Sequence, residues 1–135
     1  MVMDGQGGGI GATIITGIRK TVGHDLVIWA LGTNSIATSR MMKAGANKGA
    51  TGENAIIRTS QTADVIVGPL GILMANSMMG EVTPEMASAV SSSPAKKILI
   101  PLVQENVKIV GLSGDPLPHL VDQVVKIIRG MNEDV

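Results

Sequence analysis

Residues 5–11 read Gly5-Gln6-Gly7-Gly8-Gly9-Ile10-Gly11, five glycines in seven positions, directly after Val2-Met3-Asp4 and directly before a helix-like stretch. Glycine takes positive φ without strain and lets another molecule approach the main chain, and a helix start offers unpaired N–H groups and a positive dipole end to an anion. The chemistry this predicts is capture of a phosphate group. Proton transfer has few carriers: Cys and Tyr are absent and His24 and His119 are the two histidines, so it would fall to them, to carboxylates, to lysines or to a bound cofactor. Glu53, within Thr51-Gly52-Glu53-Asn54, is a candidate ribose acceptor or general base, its plain structural reading being an acid in a first helical turn. His24 sits in a Gly-His-Asp turn and His119 at the start of the last helical stretch, where both read as surface residues. No His or Cys spacing suits a metal.

The elements that would position these residues belong to one domain, residues 1–135. Eleven basic and eleven acidic residues cancel, Phe and Tyr are absent and Trp29 stands alone, so neither the positive field nor the stacking surface of a nucleic-acid binder is expected. The apolar runs are strand-sized and no signal-like or membrane segment stands out, which, with the lack of Cys, predicts a cytoplasmic protein.

Strand and helix patterns alternate. Val2–Asp4 ends a first strand, and Gly11–Thr21 follows as a helix with Ile14, Ile15 and Ile18 on one face. Leu26–Leu31 reads as a strand buried on both faces, and Asn34 or Ser35 caps a helix through Ala44. Lys48–Thr51 is a short strand, Asn54–Ser60 a short helix, Ala63–Val67 a buried strand and Leu70–Met79 a helix. Thr83 and Pro84 open a helix over Glu85–Ser91. Lys97–Val103 and Val107–Leu112 are separated by three residues, which predicts a hairpin. A last amphipathic helix runs to Arg129, with Gly130 as its stop. The fold predicted is α/β: a Rossmann-like, mostly parallel sheet with helices on both faces and a C-terminal hairpin at the sheet edge.

In such sheets ligands bind beyond the carboxyl ends of the strands. The loops there are the glycine run, then Gly32-Thr33-Asn34-Ser35, then Thr51-Gly52-Glu53-Asn54, then Gly68-Pro69-Leu70-Gly71. The expected binding residues are therefore Gly5, Gln6, Gly7, Gly8, Gly9, Ile10, Gly11, Thr33, Asn34, Ser35, Arg40, Gly52, Glu53, Asn54, Gly68 and Pro69. Asn76 and Ser77 could reach a ligand from the helical stretch after Gly71, their plain reading being local hydrogen bonding, and Arg40 with Lys43 read as either a solvated helix face or a phosphate contact.

Gly7-x-Gly9-x-x-Ala12 fits the dinucleotide fingerprint, whereas Gly5-x-x-x-Gly9-Ile10-Gly11 resembles the pattern of short-chain dehydrogenases and reductases. That resemblance stops at this first unit, since the catalytic Tyr of that family cannot exist here. A Walker A loop is excluded because Ala12 and Thr13 follow Gly11 where Lys and Ser or Thr are needed. The acid that would hold a ribose diol is missing from the end of the second strand, where Thr33, Asn34 and Ser35 stand. This tilts the expected cofactor toward NADP or a related phosphate-rich nucleotide.

The strings DGQGGGIGA, ALGTNSIATS, MKAGANKGATGENAI, VIVGPLGI, ANSMMGEVTPEMA and KKILIPL occur in this order. Together they make nearly the whole chain similar to a family of short bacterial proteins known only as a domain of unknown function. The resemblance implies a small Rossmann-like domain without an established activity, whose first strand begins a few residues earlier. Three readings of function follow. The first is a nucleotide-binding module for an NADP-like or other phosphorylated small molecule. The second is a small enzyme using Glu53, and the third a structural interaction protein with an empty glycine turn. Met41-Met42, Met78-Met79 and the apolar stretch at 107–112 predict a surface for a homodimer.

Overall fold

The structure, a computed structural model, describes residues 1–102 and 106–133. Strands β1 (Val2–Asp4), β2 (Trp29–Gly32), β3 (Lys48–Thr51), β4 (Val65–Pro69) and β5 (Lys96–Ile100) form one parallel sheet in the order β3-β2-β1-β4-β5. Between and after them run helices α1 (Gly9–Thr21), α2 (Ser35–Lys43), α3 (Glu53–Ser60), α4 (Pro84–Ser92) and α5 (Leu117–Glu133). The sheet grows from β1 through β2 to β3 and then restarts on the other side of β1 with β4. Right-handed crossovers turn that reversal into a change of face. Accordingly α1, α2 and α5 cover one face, and α3 and α4 the other. This is the Rossmann-like α/β architecture expected from the sequence.

The two-residue period of the strands sorts the core. Val2, Ala30 and Val67 pack with Ile14, Ile15, Ile18 and Met41 on one face, whereas Met3, Leu31 and Ile66 pack with Ile56, Val82 and Met86 on the other. Each such buried branched side chain contributes about 1.5–3 kcal/mol. Two caps stand where the sequence put them: Asn34 Oδ1 accepts from Ala37 N–H at 2.9 Å to open α2, and Thr83 with Pro84 opens α4.

Four expectations are corrected. β2 begins at Trp29 and not at Leu26, because the residues before it are held by a side chain. The Arg19 guanidinium donates to the carbonyls of Gly23, Leu26 and Gly45 and to Asn47 Oδ1, while Asn47 Oδ1 also accepts from Ile28 N–H. Leu70–Met79 is a single 3-10 turn (Leu70–Leu73) followed by tight turns, since Asn76, Met78, Met79 and Gly80 all take positive φ, which an α-helix cannot contain. α5 continues through Gly130, whose neighbourhood is open and demands no left-handed stop.

The C-terminal hairpin is also replaced. β5 runs parallel to β4, pairing Val65 with Lys96 through Pro69 with Ile100, and the described residues 107–112 form no strand. Pro101 has no N–H to extend the ladder, Gly111 sits at φ +92°, and Val110 is 96% exposed, so the apolar residues of this stretch have no sheet face to cover. Residues 103–105, part of the expected hairpin, lie outside the described residues.

Candidate functional site

Every strand ends at the same edge, and the chain reversal between β1 and β4 opens a crevice there. The glycine turn that leaves β1 forms its central wall, and where its N–H groups go can be accounted for one by one. Asp4, the last residue of β1 and 4% exposed, accepts from Gly5 N–H through Oδ1 at 2.8 Å and from Gly11 N–H through Oδ2 at 2.7 Å, and Ile10 N–H also points to it. It thereby caps α1, whose N-cap Gly8 has no side chain to do so. Burial pushes the Asp4 carboxyl above its ordinary value, against these three N–H bonds, and the nearby Glu81 charge pushes the same way. Gly8 N–H donates to Gly5 O and Gln6 N–H to Glu81. The N–H groups of Gly7 and Gly9 find no acceptor among the described residues.

The glycines divide by what a side chain would meet. A Cβ on Gly5 would lie 2.5 Å from Thr33 Oγ1, one on Gly11 2.5 Å from Met41 Sδ, and one on Gly8, at φ +72°, 2.8 Å from Ala37 Cα. These three let β1, α1 and α2 approach one another. A Cβ on Gly7 or Gly9 would meet only the Arg40 guanidinium, with Nη1 nearest at 3.7 and 3.5 Å. The Arg40 guanidinium, carried by α2, lies across this open side and donates to Gly7 O at 3.3 Å.

Glu81 is the residue that sequence reasoning missed. It arrives from the segment between β4 and α4, and its Oε1 accepts from Gln6 N–H at 2.8 Å, Thr33 Oγ1–H at 2.7 Å and Asn34 Nδ2–H at 2.8 Å. Asn34 also donates to Gln6 O. Partial burial raises the Glu81 carboxyl, but the bonds from Thr33, Gln6 and Asn34 outweigh it and hold the group below its ordinary value. The signal that could have found it is topological: a charged residue after β4 must emerge at the same edge as the glycine turn.

Beside the turn, on the β4 and β5 side, lies a cleft of about 440 Å³. Asp4, Gln6 and Ile10 form its wall, Pro69 and Gly71 its floor, and Met74, Met78 and Met79 much of its apolar surface. A second cavity of about 510 Å³, at the opposite end of the sheet around Val2, Leu26 and Val65, contains none of the predicted binding residues.

The structure thus brings together the glycine turn, Ile10, Thr33, Asn34, Arg40 and Pro69, with Gly68 packed so closely under Met3 O that a Cβ would stand 2.4 Å from it. The loop after β3 does not join them. Gly52 N–H pairs with Gly32 O, Glu53 accepts from the Thr83 hydroxyl at the start of α4, and neither Glu53 nor Asn54 lines the cleft. β3 lies two strands from the reversal, which explains its distance. Ser35 is exposed on the first turn of α2, beside the cap that Asn34 supplies. His24 and His119 are exposed and line neither of these two cavities. Of the methionine pairs, Met41 and Met78 are buried, whereas Met42 is 36% and Met79 92% exposed.

Among the described residues no group of three or more His, Cys, Asp and Glu side chains could hold a metal, and no helix is long and apolar enough to cross a membrane. Comparison with curated proteins and with solved structures finds no match. The family model described as Domain of unknown function (DUF3842) matches residues 1–133, and the chain belongs to that family.

Proposed function

We propose that the chain binds a nucleotide at the carboxyl edge of its sheet, with phosphate on the glycine turn and a dinucleotide or another phosphorylated small molecule as the ligand. The observation that carries this reading is the pair Gly7 and Gly9. Neither is needed for packing, both present N–H groups without an acceptor among the described residues, and Arg40 lies beside both. Outward N–H groups at a helix start and a guanidinium are the donors that a phosphate takes up. A cleft of about 440 Å³, which Gln6 and Ile10 of the glycine segment help to line, offers room for the rest of such a ligand, within the size range of small-molecule sites.

For the enzyme alternative, Glu53 accepts from the Thr83 hydroxyl at the start of α4, and among the described residues no second acid–base group stands beside it to complete a pair. Binding is therefore the function proposed, with a cytoplasmic setting as part of it. Self-association is proposed alongside, through the exposed apolar residues Val107, Val110 and Leu112, and light scattering that gives only the 13.9 kDa chain mass over a wide concentration range contradicts it.

The experiment is a thermal-shift screen of NAD, NADP, ATP, GTP, flavins and sugar phosphates. A ligand that binds the folded chain at about 100 times its Kd stabilises it by about 2.7 kcal/mol, several degrees of melting temperature for a domain of this size. A melting temperature unmoved by all of them contradicts the proposal.

A further inference from the structure

The end of β2 has no acid of its own, yet the fold delivers one. Glu81 reaches Thr33 and Asn34 from 48 and 47 residues away in sequence, and touches Gln6 in the glycine turn at the same time. Its two oxygens are used differently. Oε1 collects all three donors, whereas Oε2 accepts from none of the described residues. A carboxylate fixed at one oxygen and open at the other, beside a phosphate-binding turn, is an acceptor for hydroxyl groups.

We infer that Glu81 is the specificity-determining residue of the site, accepting the hydroxyls of an unmodified ribose and rejecting a ribose that carries a 2′-phosphate. The inference rests on the nucleotide reading above and deepens it by naming the ligand class as a nucleotide with a free 2′,3′-diol. Selection here has two parts. A diol donates to Oε2 while the three bonds to Oε1 keep the side chain in place. A phosphate at the same position would bring its negative charge against a carboxylate that Thr33, Gln6 and Asn34 hold ionised. Arg40 donates to Gly7 O and lies against Gly9, where it suits the phosphate that links the nucleotide. The phosphate-rich cofactor expected from the sequence rested on the absence of an acid after β2, and Glu81 fills that position.

The test is titration calorimetry of NAD and NADP against the unaltered chain and Glu81→Gln. The glutamine variant keeps the size of the side chain and an acceptor oxygen but removes the charge. The unaltered chain is expected to bind NAD at least tenfold more tightly than NADP, and Glu81→Gln to bring the two within about threefold, chiefly by weakening NAD. The first comparison needs no variant to fold. Equal affinities, or tighter binding of NADP, in the unaltered chain overturn the assignment of Glu81 and leave the phosphate-binding turn standing. Nucleotide binding that appears only in Glu81→Gln also overturns it, since the carboxylate would then be occupying the site. Absence of binding by either dinucleotide to either protein overturns this inference, and the thermal-shift screen then decides separately whether the turn holds another phosphorylated ligand.

Discussion

Gly68→Ala is expected to cost roughly 3 kcal/mol or more of stability, at the upper end of what overpacking a filled interior does. Its Cβ would stand 2.4 Å from Met3 O, between the two strands that flank the crevice, and neither backbone can move without breaking the β1–β4 pairing. Gly8→Ala should be comparably damaging, because the residue sits at φ +72° and its Cβ would lie 2.8 Å from Ala37 Cα. Left-handed backbone alone costs an alanine about 1–2 kcal/mol. Gly9→Val makes the contrast. Its Cβ meets only the flexible Arg40 guanidinium, so the melting temperature should stay within a few degrees, while nucleotide affinity falls at least tenfold as the branched side chain crowds the uncommitted N–H groups. Thermal denaturation and calorimetry on the three variants check both halves. Full nucleotide affinity in Gly9→Val would show that the open side of the turn is not where the ligand sits.

Asp4→Ala is the second change with a large expected effect. It would leave the N–H groups of Gly5, Ile10 and Gly11 without their acceptor in a buried place, at about 1–3 kcal/mol for each group that water does not reach. A loss of about 3 kcal/mol or more in denaturant unfolding is expected. Asp4→Asn should fall between, since its amide keeps one acceptor oxygen but turns an NH2 group against one of the N–H donors.

The two carboxylates also leave opposite marks on the pH dependence of stability. Asp4 has a raised carboxyl, so the folded chain holds that proton to higher pH than the unfolded chain, and stability declines as pH rises from the ordinary Asp value through the raised one. Glu81 has a lowered carboxyl, so its contribution is complete above the ordinary Glu value and is lost as pH falls through the lower folded value. Unfolding curves across the acid range should therefore lose their steepest acid limb in Glu81→Gln. They should lose the decline on the higher-pH side in Asp4→Asn.

Much of this arrangement can be read from residue order, and the part that cannot is instructive. The β-α alternation, the Asn34 and Thr83 caps and the role of the glycine run follow from local rules of periodicity, capping and backbone freedom. Gly5, Gly8 and Gly11 looked identical to Gly7 and Gly9 in the sequence. Only packing against Thr33, Ala37 and Met41 separates the glycines that the fold requires from those that it leaves open. Glu81 was hidden for another reason: it acts on residues 47 to 75 positions away, and no spacing rule connects a turn after β1 to a segment after β4. Glu53 stands in a glycine-rich loop at the same edge, but at the end of an edge strand and hydrogen-bonded to Thr83, a pairing that residue order does not reveal. The hairpin was overread because Val107, Val110 and Leu112 are apolar, a property that an exposed irregular stretch can share with a strand.

The central claim is that the outward N–H groups of Gly7 and Gly9 hold the phosphate of a nucleotide. Backbone amide chemical shifts measured by NMR during a nucleotide titration address it at those two atoms. The account predicts large, saturable shifts at Gly7 and Gly9, with a single Kd, while Gly23 and Gly45, which lie in the turns after α1 and α2, stay in place. A nucleotide that binds without moving Gly7 and Gly9, or a full set of nucleotides that moves neither, would contradict it.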